Sequence, residues 1–197
     1  MYLGVDGSYN SSGADHAEFV KPWLDENTDN EDRVGYLVTY AYTENGIFIK
    51  KANAGDYIAG ITSGNPCVVG NADEDYYWKY GRDDFNRIET EEIQKTDEEG
   101  NPMYDADGLP VMVQAPKVSG DYNPSLPYTP RSERPEWDYV GMVGVIPVRD
   151  DGSCIPGQFC KCGGGGIATL AEQRGFDTFF VIERISKYVV SVEMKGL

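Results

Sequence analysis

Histidine, cysteine, basic side chains and long apolar runs are all scarce in this chain of 197 residues. There is one histidine, and 17 lysines and arginines stand against 33 aspartates and glutamates, for a formal net charge of −16. A net charge of this sign disfavours binding to nucleic acid and to anionic membrane surfaces. The sequence shows no apolar run of membrane-spanning length, no charged-then-apolar leader and no lipidation motif. We therefore expect no nucleic acid and no membrane among its partners.

The few cysteines are arranged in a way that disfavours a metal site. Cys154, Cys160 and Cys162 lie in one glycine-ended loop with the spacing C-x5-C-x-C. A zinc site would need Cys67 or His16 as the fourth ligand, and the spacing matches no standard ligand pair. We expect no metal and no other cofactor, with the thiols either free or joined in one disulfide. The four glycines that follow predict a turn between two segments.

The apolar pattern predicts a protein made mainly of strands. Residues 35–42 are rich in β-branched and aromatic side chains, Asn45-Gly46 is a two-residue hairpin signal, and residues 47–51 alternate beyond it. Further strand-like runs follow at residues 57–62, 67–69, 139–148 and 181–194. A chain of this length can bury a proper core. The expected fold is a mainly β, compact sandwich or barrel-like domain with a few short helices.

The densest group of reactive side chains is SSGADHAEFV, residues 11–20. It contains two serines, a glycine, two carboxylates three residues apart and the only histidine. One interpretation is structural, because Ser12 with Asp15 fits the S-x-x-D box that opens a helix. Pro22 would then end that helix after about two turns. On this interpretation a short helix runs from about residue 12 to residue 20.

The same side chains also suit a self-cleavage reaction. A serine hydroxyl can attack the carbonyl carbon of the preceding residue and turn the amide into an ester, which water cleaves more readily. Two carboxylates with different pKa values can act as the base and the acid. On a helix Asp15 and Glu18 would share one face, and Gly13 would let the backbone bend beside the bond. Ser12, Asp15 and Glu18 are therefore the candidate catalytic residues.

A family resemblance strengthens the second interpretation. SSGADHAEF resembles the opening motif, approximately S-S-G-A-D-Y-A-E-[YF], of the self-cleaving C-terminal domain of bacteriophage tail-spike and appendage proteins. This is the intramolecular-chaperone autoproteolytic domain of the peptidase G2 family. The likeness continues in order through EDRVGY (31–36), IAG (58–60), GNP (64–66), VGN (69–71), WKYGR (78–82), YTPRSERPEW (128–137), VGMVG (140–144), VRDDGSC (148–154) and GGIAT (165–169). His16 departs from the motif, which has tyrosine there, and its imidazole is a possible auxiliary group in proton transfer.

The resemblance implies a homotrimer that promotes assembly of an upstream β-helical spike segment of the same chain and then cuts itself off. It places the cut at the Ser11-Ser12 pair. Residues 1–11 would then be the end of the upstream segment, and residues 12–197 the autoproteolytic domain. Either the Ser12 hydroxyl or water would attack the bond. The reaction would take place in the host cytoplasm during phage assembly, and the mature upstream part would end on the virion tail.

Several alternatives stay open at this point. The signs of Arg131, Glu133, Arg134 and Glu136 alternate, which is typical of a surface or interface salt-bridge cluster. Alternatively, Arg131 or Arg134 orients a cleavage carboxylate or stabilises an oxyanion. The whole chain could also be a non-cleaving trimerisation or receptor-contacting module of a phage tail fibre, or a zinc-stabilised structural protein.

Overall fold

Strands account for nearly all the regular structure of the chain. A computed structural model describes residues 2–3, 9–10, 12–25, 27–72 and 79–195. These residues form fourteen strands and the 3₁₀ turn Arg131–Glu133. In this part of the chain no helix has the length and apolar character needed to cross a membrane. The prediction of a mainly β protein is confirmed.

The chain divides into two compact units. The first comprises Met1–Ala72 with Arg131–Leu197, and the second comprises Asp73–Pro130. The first unit contains a ten-stranded sheet that curls into a half-barrel. Its strands are β3 (Asp15–Glu18), β4 (Leu37–Thr43), β5 (Gly46–Lys51), β6 (Gly60–Thr62), β7 (Val68–Gly70), β10 (Val140–Arg149), β11 (Phe159–Gly164), β12 (Ile167–Leu170), β13 (Phe179–Ser186) and β14 (Val189–Met194). The strands β1 (Tyr2–Leu3) and β2 (Tyr9–Asn10) pair separately.

The predicted hairpin around Asn45 is present. Strands β4 and β5 pair in antiparallel register with Thr43 opposite Gly46, so the loop is Glu44-Asn45, one residue earlier than the sequence signal suggested. Gly46 has a φ of 129°, a value that glycine adopts without strain. The 181–194 region forms the hairpin of β13 and β14. The glycine-rich segment forms the predicted turn between β11 and β12.

Strand β10 is the centre of the sheet. Val140 pairs with both β3 and β6, and Gly144 pairs with both β3 and β14. Since a strand has two edges, β6 and β14 must share one edge of β10, and β3 must lie along the other. Strand β7 then extends the sheet beyond β3 in parallel. Residues 15–18 are therefore paired on both sides.

The predicted helix at residues 12–20 is wrong, because this segment contains strand β3. The backbone groups of β3 pair with β10 and β7, and this tertiary pairing overrides the local S-x-x-D signal. Burial alternates along the strand: Asp15 and Ala17 are buried, His16 is exposed and Glu18 is half-buried. Side chains three apart on a strand point to opposite faces. Asp15 and Glu18 of one chain therefore do not share a face.

Two apolar clusters form the core of the first unit. The smaller contains Trp23, Val38, Ile49 and Val140. The larger contains Leu37, Ala52, Ile61, Ile146, Val148, Cys154, Cys160, Cys162, Ala168, Val181, Val190, Val192 and Met194. Fully burying a valine, leucine or isoleucine side chain contributes about 1.5–3 kcal/mol to the stability of the fold. All four cysteines are free thiols, and three of them are part of the larger cluster.

A partly buried ion pair closes the turn that follows β10. The Asp150 carboxylate accepts hydrogen bonds from both terminal nitrogens of Arg184, at 3.1 and 2.8 Å, and from the backbone N–H groups of Gly152 and Cys154. Burial alone would raise the pKa of Asp150, but these donors hold it below its ordinary value. The carboxylate therefore stays ionised inside the fold and ties this turn to β13.

The second unit is an exposed ribbon. Strands β8 (Thr90–Gln94) and β9 (Met112–Pro116) pair only with each other. Three turns begin with Asp83, Asp97 and Asp105, whose Oδ1 atoms accept backbone N–H groups two and four residues later. None of the described residues from 79 to 130 is buried. Local hydrogen bonds, rather than buried side chains, dominate the structure of the described residues 79–130.

Replacing Ile146 with alanine should lower the free energy of unfolding by about 3 kcal/mol, because the side chain is fully buried in β10 and its removal leaves a cavity. Urea denaturation measures the change. Ile182, which is 41% exposed in β13, is the matched control. Its replacement by alanine should cost about 1 kcal/mol or less. Equal losses for the two variants would contradict the placement of the core.

Candidate functional site

Residues 12–15 lie between two parts of the first unit. On one side, Ala14 O accepts the N–H of Val145 at 3.2 Å. On the other side, Asp15 O accepts the N–H of Cys67 at 2.7 Å. The segment leading into β3 is thus held by backbone hydrogen bonds to β10 and to the loop that precedes β7.

The Asp15 carboxyl is enclosed in the fold. The residue is 3% exposed, and its Oδ1 accepts a hydrogen bond from Ser63 Oγ at 3.2 Å. Its Oδ2 has no hydrogen-bond partner among the described residues. Gly141 lies directly against this oxygen, since a Cβ added there would stand 2.7 Å from Oδ2. Only a residue without a side chain leaves room for the carboxyl at this place.

Burial raises the pKa of Asp15, and the hydrogen bond from Ser63 offsets only part of that effect. The protonated form of the Asp15 carboxyl is therefore more favoured in the folded chain than in water. A carboxyl with a raised pKa is suited to donate a proton to a leaving group. Within the predicted pair of acids, this environment matches the general acid.

Ser12 is exposed at the entrance to this segment. Its Oγ accepts a hydrogen bond from Asn65 Nδ2 at 3.2 Å. The predicted partner in the cut, Ser11, lies outside the described residues. Ser12 and Asp15 thus stand at the two ends of one short backbone segment. The loop that contains Ser63 and Asn65 contacts both of these ends.

The structure does not bring Glu18 of the same chain to that stretch. Three residues of extended strand separate its Cα from that of Asp15 by about 10 Å. The Glu18 side chain packs on Gly70, where an added Cβ would lie 3.2 Å from Oε1. His16 is exposed and, like Glu18, lies on the face of β3 opposite Asp15.

The two candidate arginines lie away from Asp15. Arg131 donates from Nη1 to Asn71 O at 2.7 Å, and its guanidinium is 4.3 Å from the ring centroid of Trp137. Since Asn71 directly follows β7, these contacts place Arg131 beside the far end of β3. Arg134 lines a groove of about 380 Å³ together with Arg33 and Asp138. Arg131 thus contacts a backbone carbonyl and an aromatic ring beyond β7, and its role in orienting a carboxylate or stabilising an oxyanion stays a prediction.

The cysteines do not form a metal centre in the described part of the chain, where no three histidine, cysteine or acidic side chains are grouped to hold an ion. Cys67 donates its backbone N–H to the carbonyl oxygen of Asp15. Cys154, Cys160 and Cys162 belong to the larger core cluster. The zinc-stabilised alternative has no support in this arrangement.

Sequence reasoning missed Ser63, Asn65, Gly141 and Gly144 as parts of the site. Gly144 has a φ of 119°, and a Cβ there would stand 2.8 Å from the Cα of Asp15. Three of the four lie in stretches that carry the family resemblance, GNP and VGMVG. That coincidence was the available signal, although it does not say what each residue contacts.

Changing Asp15 to asparagine should make the folded chain more stable at neutral pH, because the amide keeps the acceptor for Ser63 and removes a carboxyl that burial disfavours in its charged form. The sign follows from the raised pKa: the contribution of Asp15 to stability is largest below its unfolded pKa, about 3.9, and falls as the pH rises through the higher folded pKa. The melting temperatures of wild type and D15N should therefore diverge from pH 4 to pH 7, with D15N higher. A difference that does not change with pH would contradict the assigned burial.

Comparison with known proteins identifies the family of this chain. The model of the family described as Peptidase G2, IMC autoproteolytic cleavage domain, matches residues 4–194. The pre-neck appendage protein of Bacillus phage B103 is 35% identical over 157 residues, covering 78% of this chain and 16% of that protein. The pre-neck appendage protein of Bacillus phage phi29 is 34% identical over 153 residues, covering 77% and 15%. The chain spans about a sixth of the length of these relatives.

Two crystal structures share the fold. The pre-mature bacteriophage phi29 gene product 12 superposes with a TM-score of 0.73 at 27% identity, over 98% of this chain and 23% of that chain. The C-terminal fragment of phi29 gene product 12 gives a TM-score of 0.67 at 30% identity, over 92% of this chain and 100% of that chain. The family model thus matches nearly the whole chain. This chain therefore belongs to the peptidase G2 family of IMC autoproteolytic cleavage domains, which are self-cleaving, chaperone-type domains related to phage appendage proteins.

Proposed function

We propose that this chain promotes trimer assembly of an upstream spike segment and then cuts its own backbone between Ser11 and Ser12. The observation that carries the proposal is the Asp15 carboxyl, which is buried three residues after the proposed bond and has one oxygen that no described residue partners. The raised pKa of Asp15 suits it to act as the acid. A structural role alone gives no reason to keep an incompletely satisfied carboxyl in this position.

The reaction needs two proton transfers. The Ser12 hydroxyl oxygen attacks the carbonyl carbon of Ser11 while its proton passes to an ionised carboxylate, for which we assign Glu18. The carbon–nitrogen bond breaks as the Ser12 nitrogen takes the proton of neutral Asp15, which leaves an ester. Water then hydrolyses the ester, so that the products carry a carboxylate on Ser11 and a free amino group on Ser12. One water molecule is consumed in total.

Glu18 of a neighbouring copy is the better candidate for the base. In a single chain Glu18 and Asp15 lie on opposite faces of β3 and about 10 Å apart. A site shared between copies would complete itself only after assembly. Cleavage would then follow assembly, and the upstream segment would lose its assembly aid only once it no longer needs it.

This order of events suits an intertwined β protein. Non-local β structure folds slowly, so an attached assembly domain raises the chance that three chains meet in register. Cutting that domain off afterwards removes the reverse path and leaves a kinetically stable product. The homotrimer, the upstream β-helical segment and the host cytoplasm as the place of assembly are all parts of this proposal.

The proposal predicts a short N-terminal fragment when freshly made chain carries a tag before residue 1. Wild type should cut, whereas D15N and E18Q should stay intact with unchanged circular dichroism and oligomeric state. Glu44→Gln, an exposed change in the β4–β5 loop, is the control and should cut like wild type. Denaturing gels over time measure the fragment. Absence of cutting in wild type at every concentration would instead support a non-cleaving trimerisation or receptor-contacting module.

Ser12→Ala separates the two routes of attack. If the hydroxyl is the nucleophile, this variant should not cut, and hydroxylamine added to wild type should trap the ester as a hydroxamate on the upstream fragment. Continued cutting by Ser12→Ala would show that water attacks the bond directly.

A mixing experiment tests the shared site. D15N and E18Q, each inactive alone, should regain part of the cutting when they are co-expressed, because Asp15 of one copy then meets Glu18 of another. Only the chain with intact Asp15 should be cut, which tags of different mass on the two variants would reveal. No cutting in the mixture, with hetero-oligomers verified by pull-down, would place both acids in one chain.

A further inference from the structure

One loop, residues 63–67, contacts the segment from Ser12 to Asp15 at several points. Asn65 donates to Ser12, Ser63 donates to the Asp15 carboxyl, and Cys67 donates its N–H to Asp15 O. We propose that Asn65 is a further residue of the self-cleavage site, whose carboxamide orients the Ser12 hydroxyl for reaction. This inference rests on the proposed function and assigns a role that the two acids cannot fill.

The loop and the segment meet backbone to backbone. A Cβ added to Gly13 would overlap Asn65 O and come within 2.5 Å of Cys67 N. The loop itself is anchored, because Ser63 N donates to Tyr139 O at 2.8 Å, just before β10. Since the loop approaches the backbone closely at Gly13 and donates hydrogen bonds to Ser12 and to Asp15, the same loop sets the positions of both residues.

Asn65 constrains the orientation of the Ser12 side chain, which packing alone leaves unconstrained. Ser12 is exposed, so packing does not select one rotamer of its side chain. The hydrogen bond from Asn65 Nδ2 to Ser12 Oγ, 3.2 Å long, uses one lone pair of the hydroxyl. The hydroxyl proton must then point away from the carboxamide, where a base can remove it.

The same hydrogen bond favours the attack electrostatically. As the Ser12 proton passes to the base, negative charge grows on Oγ, and the Nδ2–H dipole stabilises it. The carboxamide keeps both of its own protons throughout, so no bond at Asn65 forms or breaks. A buried donor to the oxyanion of an acyl transfer changes a rate by about 10²–10³-fold, and a donor to the nucleophile should have a smaller effect because charge on its oxygen is transient. For this exposed pair we expect about 10-fold.

The test compares Asn65→Ala and Asn65→Asp with wild type in the tagged chain. Both variants should cut about 10-fold more slowly at neutral pH, while the melting temperature stays within about 2 °C of wild type. A carboxylate cannot donate a hydrogen bond, but a protonated aspartate can. The deficit of N65D relative to wild type should therefore shrink as the pH falls towards about 4, whereas that of N65A should not.

Asn45 provides the matched control, since it is an exposed asparagine in the β4–β5 loop. Asn45→Asp adds the same charge and should cut at the wild-type rate. The inference is overturned if N65A and N65D cut at the wild-type rate, if their rates fall only in step with their melting temperatures, or if Ser12→Ala cuts as fast as wild type. No cutting in wild type would instead remove the proposed function, and this inference would fall with it.

Discussion

The pairing of β3 with β10 is the constraint on which the rest of the site depends. The register of this pair shifts between Gly141 and Val143, and a β-bulge of this kind re-aims the neighbouring side chains. Two glycines of β10 let β3 approach closely enough for the Asp15 carboxyl to enter the interior beside Gly141. The pairing thus converts an ordinary aspartate into a carboxyl with a raised pKa, three residues after an exposed serine.

This arrangement lowers the stability of the fold, and under the proposed function it supplies a general acid. A buried oxygen without a partner costs free energy, and an apolar or amide side chain would fit the same place at lower cost. The fold tolerates this loss of stability because the surrounding sheet is well packed. Ile146, whose side chain lies against Gly141, belongs to the larger core cluster. Strand β3 also separates the two acids of one chain, since the side chains of Asp15 and Glu18 point to opposite faces of the sheet. Under the proposed function, assembly of several copies would bring an acid and a base together.

The sequence predicted the fold class better than it predicted the local geometry. Runs of β-branched residues and the hairpin signal reflect nearest-neighbour preferences, which β4, β5, β13 and β14 follow. The helix at residues 12–20 was wrong because a local capping pattern competed with sheet pairing to distant residues. The alternation of polar His16 and Glu18 with apolar Ala17 and Phe19 was the sign of a strand. Ser63 and Asn65 could not be found in this way, because they lie 48 and 53 residues from their partners.

The central claim is that the chain severs one particular amide by itself. Intact-mass measurement with N-terminal sequencing, on freshly made chain that carries a tag before residue 1 and is purified without added protease, tests this most directly. The account predicts a large product that begins at Ser12 and extends to the C-terminus, together with an upstream product that ends at Ser11. A single uncut mass after assembly, or a product that begins at another residue, would contradict it.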